Sequence, residues 1–337
     1  MAADRDTIRA ASHLLDTLGV TLDDLHRNAG AARLPTIAEY LPRVMTVVSE
    51  TTRASYTSYW NRIHAEFGER PLDQVDASEI ATLMQTTKAA AVRRRNSRGG
   101  RAAADHLLLA FRLIYTWAAK DGLISRHLNP SRRVARPRRL PSTRRALTAA
   151  QLAELTDAAI LSSRDPTLDS LLLRLHTETA CRRGGALALR LRDLDPDLCL
   201  VLLREKGGTH RWQPVSPTLA TALCHLAANR GAAHPDDALL RTRARRPLTP
   251  SHYDALWTRV HTALPWTAVQ GVSTHWLRHT TLTWVERHYG YGIARAFAGH
   301  TDRKGGSTTT YIRATLEETA TALAALAGEP HPLARGG

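Results

Sequence analysis

The sequence predicts a mainly α-helical protein of two domains carrying one small antiparallel β-sheet, an α+β chain. Three observations lead there. Apolar residues recur at helical spacing through most of the chain, β-type runs are confined to one Gly-Gly hairpin, and 337 residues are enough for two packed cores. Hydrophobic residues make up 43% and charged residues 23%, ordinary globular usage, which excludes a wholly disordered or fibrous protein.

Residues 1–36 read as one or two short helices. Tyr56, Trp60, Ile63 and Phe67 follow at spacings of four, three and four, one face of a helix. Ala77 to Arg95 reads as the next helix, and Asn96-Ser-Arg-Gly-Gly100 as the loop after it. Leu107, Phe111, Ile114 and Ala118 mark a further helix with Trp117 beside them. These aromatics are expected in the core. Residues 37–136 therefore read as one helical domain.

Pro130, Pro137 and Pro141 then punctuate an Arg-rich stretch, Arg132 to Arg145, without apolar periodicity. Proline lacks the backbone donor and restricts its predecessor, so this stretch is expected to be extended linker, with the domain boundary in 137–146. Thr148 with Gln151 three residues on is a helix-start signature, and helices are expected near 149–161 and 167–180. Leu198 to Glu205 is a β-type run, followed by Lys206-Gly-Gly-Thr-His and the shorter Arg211 to Val215, a hairpin. Helical patterns resume and close with 314–328, where Leu316, Ala320, Leu323 and Ala327 form an apolar stripe ended by Gly328 and Pro330. The second domain is thus 147–330, with 331–337 as a tail.

Charge narrows the function. Lys and Arg number 46 against 31 Asp and Glu, a net +15, and only Lys88, Lys120, Lys206 and Lys304 are lysines. Lys88 to Arg145 holds sixteen of the basic residues, opposed only by Asp105 and Asp121, which leaves +14 there and about +1 in all the rest. A merely solvated surface would alternate in sign, so the concentration points to a phosphate-binding face and a nucleic-acid partner. The candidate DNA contacts are Arg93, Arg94, Arg95, Arg98, Arg101, Arg132, Arg133, Arg136, Arg138 and Arg139. Residues 1–35 are net −1 and make a poor separate DNA-binding module.

Cys181, Cys199 and Cys224 are too few and too irregular for a disulfide framework or a zinc knuckle. No apolar run reaches the eighteen or so residues of a membrane span, and the N-terminus lacks a secretory pattern, so a cytoplasmic, nucleoid-associated protein is expected.

Five features stand in order across the second domain. They are Thr179-Ala-Cys-Arg182-Arg-Gly-Gly, Lys206 in the hairpin, His275-Trp-Leu-Arg278-His279, Gly299-His300, and Thr308-Thr-Thr-Tyr311. Together they resemble the tyrosine recombinase (phage integrase) family over roughly 147–328, and 37–136 is similar to that family's helical core-binding domain. The resemblance implies two domains forming a C-shaped clamp on DNA, with Arg182, Lys206, His275, Arg278, His300 and Tyr311 as the catalytic set. It implies no cofactor and no metal.

The chemistry accounts for these residue types. A tyrosine nucleophile stores phosphodiester energy as a covalent 3′-phosphotyrosine, and its phenol, which ordinarily titrates at about pH 10, leaves readily when the reaction reverses. Arg182 and Arg278 offer forked donors to the nonbridging oxygens where charge accumulates. Lys206 suits protonation of the departing 5′-oxygen, His275 the orientation or uptake of the phenolic proton, and His300 a hydrogen bond to phosphate. Each residue alone has a plainer reading. Arg182, Arg183, Arg190 and Arg192 could form a solvated stripe, Lys206 a turn lysine, Tyr311 a packing tyrosine. His275 and His279 have the spacing of zinc ligands, but no third ligand accompanies them. The joint order outweighs the separate readings.

Departures from the pattern are visible. Ala180 stands where Gly is usual, Gly185 where an acidic residue often follows the first arginine by three, and His300 to Tyr311 is a long gap of eleven residues. The expected function is a site-specific recombinase that integrates or excises a mobile element. Its expected partners are double-stranded recombination sites, three further copies in a synaptic tetramer assembled through the C-terminal helix, and an accessory directionality factor. The alternatives are a Xer-type housekeeping recombinase, a type IB topoisomerase or telomere resolvase, and a catalytically silent DNA-binding regulator.

Overall fold

Three helices begin at reciprocal caps written in the sequence. Thr36 with Glu39, Thr148 with Gln151 and Thr315 with Glu318 each exchange side chain for backbone N–H at 2.7–3.2 Å. The computed structural model describes residues 4–19, 21, 33–91, 99–138, 140, 144–205, 208–299 and 314–334. The chain divides between Leu140 and Pro141 into two compact units.

The first unit holds α1 (Arg5–Leu18), α2 (Ile37–Val47), α3 (Glu50–Phe67), α4 (Ala77–Ala90), α5 (Arg101–Lys120) and α6 (Pro130–Arg133). Trp60, Ile63 and Phe67 of α3 meet Leu107, Phe111, Ile114 and Ala118 of α5 in one buried core, with Tyr56 and Trp117 packed at its edge. Gly100 starts α5 at φ 69°, and a Cβ there would lie 2.1 Å from the Lys88 carbonyl oxygen. Only glycine permits that approach.

Two expectations change here. The helix from Ala77 stops at Ala90, because Ala91 turns extended at ψ 127°, and the rest of the expected span to Arg95 lies outside the described residues. The Arg-rich stretch is not all extended linker: Pro130–Arg133 is a helical turn with proline at its start and the Asn129 side chain accepting from Ser131 N–H at 3.0 Å. Arg112 fastens that turn by donating to Ser131 O at 3.3 Å and Val134 O at 3.1 Å.

The second unit contains α7 (Ala149–Leu161), α8 (Pro166–Thr179), α9 (Arg183–Leu187), then β1 (Leu194–Asp195), β2 (Leu200–Glu205) and β3 (Thr209–Pro214). Helices α10 (Pro217–Asn229), α11 (Pro250–Ala263), α12 (Pro265–Gln270), α13 (Thr274–Phe297) and α14 (Leu316–Ala327) follow. The sheet is antiparallel in the order β1-β2-β3, with Leu202 opposite Trp212 and Leu203 opposite Arg211. Val201, Leu203 and Gln213 turn inward, and leucines of α8, α10 and α11 complete the main core.

A second apolar cluster joins Ala180, Val285, Ala294 and Phe297 to Ala322 and Leu323 of α14. The C-terminal helix therefore buries Thr319, Ala320, Ala322 and Leu323 within its own unit. The expected tail is also fastened at its start: His331 is 6% exposed and its Nε2 donates to Cys199 O at 3.1 Å. Helix α13 is broken at Gly290 (φ 81°, ψ 170°), a backbone region open essentially to glycine alone. No described helix is long and apolar enough to cross a membrane.

Candidate active site

Helix α8 ends at Ala180, whose φ of 50° turns the chain left-handed and sends Arg182 out extended (φ −80°, ψ 154°) before α9 begins. Opposite it, the first turn of α13 is set by Trp257 Nε1–H donating to Thr274 Oγ1 at 2.9 Å and His261 Nε2–H donating to Val272 O at 2.9 Å. Trp276 and Leu277 enter the core. His275 and Arg278, three residues apart, share the other face. A cavity of about 500 Å³ lies between, lined by Arg182, Arg183, Tyr253, His275 and Arg278 among others.

Arg278 is 4% exposed and donates through Nη1 to Ala180 O and through Nη2 to Ala298 O at 2.6 Å. One guanidinium thus ties the chain just before Arg182 to the chain just before Gly299-His300. Burial, with Arg144 and Arg278 nearby, holds the His275 imidazole below its ordinary pKa of 6.5. A neutral His275 can accept a proton, as transfer from a phenol requires. Arg183 is more exposed and reaches Asp254 at 3.5 Å.

The structure brings together three of the six expected catalytic residues, Arg182, His275 and Arg278. Lys206, His300 and Tyr311 lie outside the described residues, as do Arg93, Arg94, Arg95, Arg98 and Arg139. Of the other expected DNA contacts, Arg101 is half-buried at the start of α5, and Arg132, Arg133 and Arg138 are exposed. Arg136 is engaged: Nε and Nη2 donate to the Asp105 carboxylate at 2.8 and 2.7 Å. Asp121 is held too, accepting from Tyr40 at 2.6 Å and facing Arg43 at 3.0 Å. Both acidic residues of the basic stretch are therefore neutralised inside the first unit.

Sequence reasoning missed four residues. Arg112 and Arg126 line a basic cleft of about 360 Å³ with Arg132 and Asn129. His176 and Tyr253 lie buried beneath the Arg182 loop, 2.8 Å apart. A histidine on an apolar helix face six residues before Arg182 was a faint signal; Tyr253 gave none. Among the described residues no group of three His, Cys, Asp or Glu is placed to hold a metal.

Residues 145–318 match the phage integrase family. The chain belongs to that family. All six candidate catalytic residues of this integrase-family chain fall inside the matched segment. Its relatives include tyrosine recombinase XerC of Azotobacter vinelandii, 28% identical across 86% of this chain and 92% of the relative. Tyrosine recombinase XerD of Mycobacterium tuberculosis is 30% identical across 70% and 78%. XerC of Xanthomonas campestris is 37% identical, but the chain spans only 35% of that relative's length.

Among solved structures, a lambda integrase dimer bound to a COC′ core site superposes with a TM-score of 0.62 at 18% identity, covering 92% of this chain and 87% of that one. The Tn1549 transposon integrase, residues 82–397, in complex with circular intermediate DNA gives 0.61 at 16% identity, covering 83% and 96%. At such identities the likeness establishes a shared fold.

Proposed function

We propose that the integrase-family chain is a site-specific DNA recombinase that integrates or excises a mobile element. The observation that carries this reading is the convergence of Arg182, His275 and Arg278 on one cavity, inside a family-matched segment that also holds Lys206, His300 and Tyr311 in order. In the proposed step the Tyr311 phenolate oxygen attacks phosphorus and the bond from phosphorus to the 5′-oxygen breaks. A 3′-phosphotyrosine and a free 5′-hydroxyl result. The phenolic proton passes to His275, and Lys206 protonates the departing oxygen. Arg182, Arg278 and His300 take the charge on the nonbridging oxygens.

The two units would close around the duplex, with the basic stretch 88–145 on the backbone. Lambda integrase has been seen as a tetramer on a Holliday junction. The proposal extends a tetramer to this chain, with the C-terminal helix as the contact.

The test is covalent trapping. Wild-type protein should form an adduct on a nicked duplex carrying its site, and Tyr311→Phe should bind that duplex normally and form none. An adduct from the variant would move the nucleophile to another tyrosine, such as Tyr289 or Tyr291. A housekeeping role is the second reading, favoured by XerC and XerD relatives that match most of this chain. Direct attachment repeats in the DNA flanking the gene would decide for the mobile element.

A further inference from the structure

The loop that presents Arg182 is held from beneath, in part by a pair of buried groups, His176 and Tyr253, that the strand-transfer step does not use. Two consecutive carbonyls of this loop accept from side chains: Ala180 O from Arg278, and Cys181 O from His176 at 3.1 Å. Cys181 O belongs to the peptide plane that contributes the Arg182 nitrogen, so fixing it fixes the plane from which Arg182 departs. Position 185, three residues beyond Arg182, is glycine and provides no side chain to do so.

We propose that His176 and Tyr253 are positioning residues for Arg182, acting as a hydrogen-bonded relay that sets the orientation of the Cys181–Arg182 peptide.

The direction of the relay follows from valence. Nδ1 of His176 faces both Cys181 O at 3.1 Å and Cys181 Sγ at 3.3 Å. A carbonyl only accepts, so Nδ1 carries the proton toward the nearer Cys181 O, with the sulfur as a weak second acceptor. Burial keeps the imidazole neutral, with its pKa pushed down to about 4. A neutral ring with hydrogen on Nδ1 leaves Nε2 as an acceptor, and Tyr253 O–H, 2.8 Å away, donates to it. The rings meet edge to face with centroids 5.5 Å apart. His176, Tyr253 and Cys181 are each 1% exposed. Leucine and phenylalanine would fill the same space without desolvating a ring nitrogen and a hydroxyl, so core packing alone does not account for the pair. Tyr253 comes from α11 and lines the same cavity as Arg182, so the relay ties the loop between α8 and α9 to a third helix.

This inference rests on the strand-transfer reading, and its test separates the two. The full chain is used with a nicked duplex whose sequence has been selected from a randomised pool by binding to it. Adduct formation is followed in single turnover. Tyr253→Phe should keep duplex affinity within twofold yet form adduct at least tenfold more slowly. His176→Asn, which retains a donor near the Nδ1 position, should outperform His176→Leu by a similar factor. In an Arg182→Lys background, adding Tyr253→Phe should change the rate less than twofold, because a residue acting through Arg182 has little left to position. Losses that multiply independently, or variants at full rate, would overturn the relay while leaving strand transfer standing. No adduct from the wild type would overturn both. If the histidine variants do not fold, imidazole nitrogen shifts of the wild-type protein still decide: a proton on Nε2 of His176 rules the relay out.

Discussion

His176 couples the fold to pH. Its pKa in the folded chain is depressed from 6.5 to about 4 by complete burial. Above pH 6.5 neither state is protonated there and the group contributes no slope. Below it the unfolded chain takes up a proton that the folded chain refuses, so stability falls as pH drops from 6.5 toward 4 and levels beneath that, by roughly 3 kcal/mol in total. Denaturant titrations across this window should show the slope in the wild type and lose its His176 contribution in His176→Asn. At this scale the site was half legible. Arg182, His275 and Arg278, expected as catalytic, stand around one cavity, and the spacing of the last two already put them on one helical face. Tyr253 was invisible, because a contact across 77 positions leaves no periodic trace.

Elements were easiest to read where local chemistry decides them. The Thr148 and Gln151 cap marked the start of α7, and the stripe around Leu323 foretold α14, since both signals lie within a few residues. The turn Pro130–Arg133 was misread because its support, the Arg112 guanidinium, comes from another helix. Gly100 carries the prediction at this level. Its φ of 69° and the 2.1 Å gap that a Cβ would have to the Lys88 carbonyl leave no room for a side chain. Gly100→Ala should destabilise the first unit by about 1–3 kcal/mol, as a strained backbone and a close contact combine. Thermal melts would show it, and an unchanged midpoint would mean that α4 and α5 can part without cost.

For the whole molecule the governing quantity is where charge lies. The stretch 88–145 carries +14, and its two carboxylates are occupied by Arg136, Tyr40 and Arg43. Little within that stretch is left to offset the remaining arginines. Duplex affinity of the full chain should therefore fall steeply with salt, by about 0.9 in log–log slope per phosphate contact. Replacing Arg93, Arg94, Arg95 and Arg98 together with alanine should flatten that slope. An unaltered slope would put the contacts elsewhere on the protein. The concentration of +14 within 88–145 was legible from the sequence alone, because charge needs no tertiary information to be counted.

The break at Gly290 gives the catalytic unit a fixed ruler. Between Arg278 and Ala298 the chain runs twenty residues, and a straight helix would hold them about 30 Å apart. They are hydrogen-bonded instead at 2.6 Å, because one glycine torsion folds the second half of α13 back toward the first. The bond survives only while the number of residues on each side of Gly290 is kept. Substitution on the exposed faces of either arm leaves that count intact. A single insertion or deletion rotates one arm by about 100° and carries the Ala298 carbonyl away from the guanidinium. Drift in sequence is therefore permitted along this segment, while drift in length is not.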